Sequence, residues 1–125
     1  MELFIGGFAQ NKLEYVKSLY PQLESKEDSK NFRLINDFHL FARERLKSGK
    51  CQEEIAAEIE KIIDDEEACG KKLLIISDEI GSGLVPLEKD DRAWREVTGR
   101  LLCLLAKRAG KVTRIVCGIG QVIKE

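Results

Sequence analysis

Compact apolar runs alternating with stretches of helical periodicity set the organisation of the chain. Leu3 to Ile5, Phe32 to Ile35, Leu73 to Ile76 and Val112 to Cys117 have the length and composition of buried strands. Between them, Asn11 to about Leu19 carries Leu13, Val16 and Leu19 at three-residue spacing, and Pro21 ends it. A second helix is expected from about Phe38 to Lys47, closed by Ser48 and Gly49. Cys51 to Glu66 sets Ile55, Ile59, Ile62 and Ile63 on one face, with Glu53, Glu54, Glu58, Glu60, Asp64 and Asp65 mostly elsewhere. Gly70 stands where a C-terminal cap belongs. The longest helix is expected from about Asp90 to Arg108, with Trp94, Val97, Leu101, Leu104 and Leu105 facing inward and Gly110 stopping it. Gln22 to Asn31 reads as a polar surface connection, and Gly118-Ile119-Gly120 as the lead into a short polar tail.

Strands alternating with helices predict an α/β fold, a mostly parallel sheet of about four strands covered by helices on both faces. Ligands of such sheets bind beyond the carboxyl ends of the strands. Three of those ends carry suggestive residues: Gly6 to Lys12, then Asn36 and Asp37, then Asp78 to Gly83.

The first of these resembles the P-loop, G-x-x-x-x-G-K-[ST], whose backbone N–H groups and helix dipole cradle phosphates. Gly6 and Lys12 have the right spacing, but Asn11 replaces the second glycine and Leu13 replaces the hydroxyl residue. Asn tolerates a left-handed backbone, so Asn11 can preserve the turn, while its Cβ crowds an approaching phosphate. Leu13 cannot coordinate Mg²⁺. The plain alternative is a glycine turn followed by an exposed lysine.

At 125 residues the chain is expected to form one domain, residues 1–125, burying roughly two-thirds of its unfolded surface. A net charge of −1 with 34% charged residues gives no electrostatic reason to propose nucleic acid or an anionic membrane as partner. Cys51, Cys69, Cys103 and Cys117 stand 14 to 34 positions apart, without a C-x-x-C and with one histidine, so a metal cluster is not expected. Cys103 and Cys117 lie among apolar neighbours and read as buried thiols of a reduced, cytoplasmic protein. No signal-peptide pattern precedes Leu3, and no apolar run approaches the roughly 20 residues of a membrane helix.

Ser77-Asp78-Glu79-Ile80-Gly81-Ser82-Gly83-Leu84-Val85-Pro86, then Arg92 to Glu96 with Gly99-Arg100-Leu101, then Val116-Cys117-Gly118-Ile119, carry a family resemblance. Together with Gly6, Gly7 and Lys12 they resemble the bifunctional adenosylcobinamide kinase / adenosylcobinamide-phosphate guanylyltransferase family of cobalamin biosynthesis. The resemblance implies a P-loop NTPase-like (RecA-like) fold, ATP or GTP bound with Mg²⁺ at the first loop, a corrinoid substrate, and commonly a homotrimer. Carried over by position, Gly6, Gly7 and Lys12 would hold the nucleotide phosphates, with Asn11 in the same nucleotide-binding loop and Glu79 near the nucleotide.

Several positions depart from the family pattern. The chain is shorter between the first helix and Phe32, where the family carries its corrinoid-facing segment and the histidine that accepts GMP; only Pro21 to Asn31 remains. Asn36 stands at the place of the family's acidic metal-binding residue, with Asp37 one step later as candidate metal ligand, and Asp78 replaces an asparagine. His39 reads as a helix-start or partly buried imidazole. Two functions follow from these residues: a working nucleotide-dependent kinase of corrinoid salvage, or a descendant with weakened or lost chemistry, a pseudoenzyme that binds nucleotide at best. The departures favour the second.

Overall fold

The computed structural model describes residues 1–80 and 88–125. Strands β1 (Glu2–Gly6), β2 (Phe32–Ile35), β3 (Lys72–Asp78), β4 (Lys111–Val116) and β5 (Ile119–Lys124) form one sheet in the order β2-β3-β1-β4-β5. The first four run parallel and β5 is antiparallel to β4. Helices α1 (Lys12–Leu19), α2 (Phe38–Lys47), α3 (Gln52–Ala68) and α4 (Lys89–Arg108) make the connections, and two 3-10 turns, Pro21–Glu24 and Asp28–Asn31, lead from α1 to β2.

Alternation along the strands divides the core in two. Leu3, Leu73, Ile75 and Val112 point to the face covered by α2, α3 and α4, where they meet Phe38, Ile55, Ile59, Ile63, Leu101 and Leu105. Phe4, Leu74, Ile76 and Ile115 point the other way, onto Val16 of α1. Ile55, Ile59 and Ile63 of α3 are fully buried at four-residue spacing, each contributing about 1.5–3 kcal/mol. At the amino end of the sheet, buried Glu2 accepts a short hydrogen bond from the Tyr20 hydroxyl and lies 3.5 Å from Lys72 Nζ. Burial first, then Glu2, raises the Tyr20 phenol above its ordinary value.

The sheet has five strands rather than the expected four. Cys117 and Gly118 both take left-handed backbones, at φ 52° and 76°, and make a two-residue hairpin turn that folds the expected tail back onto β4. Strand β5 escapes a hydrophobic-pattern reading because an edge strand leaves Ile119, Val122 and Ile123 exposed. Lys124 on this strand donates to the carbonyls of Ala106 and Lys107 and so caps the end of α4.

Cys103 and Cys117 are also exposed rather than buried. Cys103 falls on the outer face of α4, and Cys117 sits in the hairpin turn. Within α4, Leu101 and Leu105 reach the core while Trp94, Val97 and Leu104 are only partly buried. Leu19, in three-residue spacing with Leu13 and Val16, is exposed at the end of α1.

Candidate functional site

The carboxyl ends of β1 and β3 are neighbours, Gly6 pairing with Asp78, and the loop 7–11 rises from them into α1. Lys12 is the first residue of that helix. Its ammonium does not reach into solvent: it donates to the Gly7 carbonyl at 2.7 Å and lies 2.5 Å from Asp78 Oδ1, with the two side chains 8% and 14% exposed. Gly6 makes room for this arrangement. A Cβ there would stand 2.5 Å from the Ile115 carbonyl oxygen and 3.2 Å from Lys12 Cδ, so both β4 and the lysine stem require glycine. Gly7 carries no such constraint, its Cβ position meeting only Gln10 Cγ at 3.8 Å.

His39, 6% exposed, faces Asp78 from α2. The Asp78 N–H donates to His39 Nδ1 at 3.1 Å, which places the ring proton on Nε2, 3.4 Å from Asp78 Oδ2. One carboxylate is therefore held by a lysine on one oxygen and an imidazole on the other. Trp94 Nε1 donates to the His39 carbonyl at 2.7 Å, tying α4 to the same point.

A cavity of about 360 Å³ opens beside this cluster, lined among the described residues by 8–14 of the loop and α1, by Asn36, Asp37, His39 and Leu40, and by Ile76 and Asp78. Asn11 does take the left-handed backbone, φ 58°, and so does Ala9, φ 57°. Asp37 likewise, at φ 59°, sits at the N-cap of α2 without capping it through its side chain. Gln10 anchors the loop from the other side. Its Oε1 accepts the Cys117 N–H at 2.5 Å and its carbonyl accepts the Gly118 N–H at 3.1 Å, so the loop rests on the β4–β5 turn.

Among the described residues the donor set does not make a protein-held Mg²⁺ site. Leu13, at the hydroxyl position, packs on the apolar core beneath α1. Of the carboxylates lining the cavity, Asp78 is engaged by Lys12 and His39, and with Glu14 and Asp37 it does not form a ligand group; among the described residues no set of three or more His, Cys, Asp or Glu does. Any magnesium here would depend on phosphate oxygens and water.

The family model described as cobinamide kinase / cobinamide phosphate guanyltransferase matches residues 9–123. The chain belongs to the CobU family. Two curated relatives, each a bifunctional adenosylcobalamin biosynthesis protein CobU, are 36% identical to it: that of Escherichia coli over 73 residues, 58% of this chain, and that of Salmonella typhimurium over 76 residues, 54% of this chain. The matches cover 40% and 42% of those proteins, so the chain spans about two fifths of the length of the relatives it matches.

In this CobU-family chain, of the residues expected to hold nucleotide, Asn11 and Lys12 line the cavity while Gly6, at the end of β1, and Gly7 do not, and Asp37 borders it from the N-cap of α2. The Glu79 carboxylate lies 3.6 Å from Arg114 Nη2 and its N–H donates to the Gly6 carbonyl; residues 81–83 of the third strand end lie outside the described residues. Around α4, Asp91 stands 3.8 Å from Arg43, and Glu96 pairs with Arg100 at 2.5 Å. Sequence reasoning missed Gln10 altogether, since a glutamine in a loop carries no signal of its partner. It placed Asp78 at the third strand end and as a replaced asparagine, but not beside Lys12, where the pairing of β1 with β3 sets it.

Proposed function

We propose that this CobU-family chain, of the cobalamin-biosynthesis type, keeps a phosphate-loop cavity that binds ATP or GTP weakly at best, with its kinase and guanylyltransferase chemistry weakened or lost. The observation that carries this reading is Leu13, an apolar side chain partly buried against the core beneath α1 and bordering the cavity where a P-loop presents a metal-holding hydroxyl. Phosphoryl transfer is almost entirely positioning and charge stabilisation, and loss of one preorganised electrostatic partner costs about 10²–10³ in rate. Lys12, the remaining phosphate-facing cation of the loop, is engaged by Asp78. His39 is the sequence's one histidine, and both of its ring nitrogens face Asp78, so it offers no free nitrogen to carry GMP. The segment Pro21 to Asn31 is taken up by the two 3-10 turns, and none of it lines the cavity, which makes corrinoid binding there doubtful.

A second reading, an active adenosylcobinamide kinase, is favoured by the family match running through residues 9–123. Titration calorimetry with ATP and GTP in Mg²⁺ separates the two. The first predicts dissociation constants of about a millimolar or weaker, improved by Asn11→Gly combined with Leu13→Ser. Micromolar, Mg²⁺-dependent binding by the natural sequence, abolished by Lys12→Ala, would favour the second.

A further inference from the structure

Asp78 brings a negative charge from inside the protein to the place where Lys12 would meet one from outside. The carboxylate is fixed by more than one contact. Oδ1 lies 2.5 Å from Lys12 Nζ, Oδ2 lies 3.4 Å from His39 Nε2, and the Asp78 backbone N–H is itself held by His39 Nδ1. Lys12 is held in turn by the Gly7 carbonyl at 2.7 Å, so its ammonium is satisfied without a ligand.

We propose that Asp78 is the specificity-determining residue of this loop: its carboxylate engages Lys12 as an internal anion and excludes free phosphate and uncomplexed polyphosphate from the cavity. The proposal rests on reading the cavity as a phosphate site. An incoming anion must displace Asp78, leaving a carboxylate that is 14% exposed with His39 as its remaining partner among the described residues, or share Lys12 with a like charge a few ångströms away. Both routes are unfavourable in a partly desolvated site. Asparagine at the same position would keep nearly the same shape and remove the charge.

The test uses pyrophosphate as probe in EDTA-containing buffer, followed by calorimetry. It compares the natural sequence with Asp78→Asn and Asp78→Ser, each alone and combined with Lys12→Ala, with folding checked by circular dichroism and cooperative melting. The serine variant serves if the asparagine variant does not fold. The natural sequence is expected not to saturate below about 10 mM. Either Asp78 variant is expected to bind at least about tenfold more tightly, with the gain lost on adding Lys12→Ala. Low-millimolar binding by the natural sequence that Lys12→Ala removes would overturn the lock yet leave the phosphate-site reading standing. Folded Asp78 variants that bind no pyrophosphate would overturn both, and a gain that survives Lys12→Ala would overturn the lock.

Discussion

Replacing Lys12 by methionine removes the ammonium and keeps an apolar stem of similar length in the space beside Gly6. At 2.5 Å the Lys12–Asp78 pair has a gross attraction of about 7 kcal/mol at an effective dielectric of 20, most of which offsets the desolvation of two charges that are 8% and 14% exposed. The cost of deleting one partner is set by what the other keeps. A fully buried pair loses about 3–5 kcal/mol; Asp78 retains His39 at 3.4 Å and some solvent, so Lys12→Met is expected to cost about 2–3 kcal/mol. For a chain of this size that lowers the melting temperature by about 10 °C. Adding Asp78→Asn removes the stranded charge, and the double variant should recover about 1–2 kcal/mol of the summed losses. Urea and thermal denaturation of the four proteins measure the cycle. Single losses below about 0.5 kcal/mol that simply add would show that the lysine is solvated rather than paired.

Gly6→Ala places a Cβ 2.5 Å from the backbone carbonyl oxygen of Ile115, which cannot move without disturbing the β1–β4 pairing; a loss of about 2–3 kcal/mol is expected, against little change for Gly7→Ala, in side-by-side thermal melts. Glu58 of α3 receives Arg45 Nε at 3.0 Å on both oxygens, and this bond, ahead of the others, holds its carboxyl below the usual range. A carboxyl with a depressed folded-state pKa stabilises above its unfolded value, and that contribution fades as pH falls through the folded one. Glu58→Gln should therefore cost about 1 kcal/mol at pH 7, and the gap to the natural sequence should close below about pH 4 in a pH series of denaturant melts. A gap constant with pH would show that the Arg45 contact carries no linkage.

Four of the five strands and all four helices are visible in the spacing of apolar residues, because each helix buries one face against the sheet and the central strands bury both of theirs, one in each half of the core. Helix α2, Phe38–Lys47, and strand β2, Phe32–Ile35, fall at their expected limits. The fifth strand depends on Cys117 adopting a left-handed backbone, which no side-chain pattern announces. The site was legible as a set of strand ends. Its wiring was not: Lys12 meets Asp78 only because β3 lies beside β1, and Gln10 meets the hairpin turn only because β4 lies on the other side. Sheet order is a tertiary fact, and the contacts that decide whether the lysine is available to a phosphate are set by it.

On the proposed function, phosphoryl transfer by this member of the CobU family is weakened or lost. Incubation of the chain with cobinamide and radiolabelled ATP or GTP in Mg²⁺ tests it most directly. No phosphorylated corrinoid above the rate of a Lys12→Ala control is the expected result; turnover at about 1 s⁻¹ or faster, abolished in that control, would contradict it.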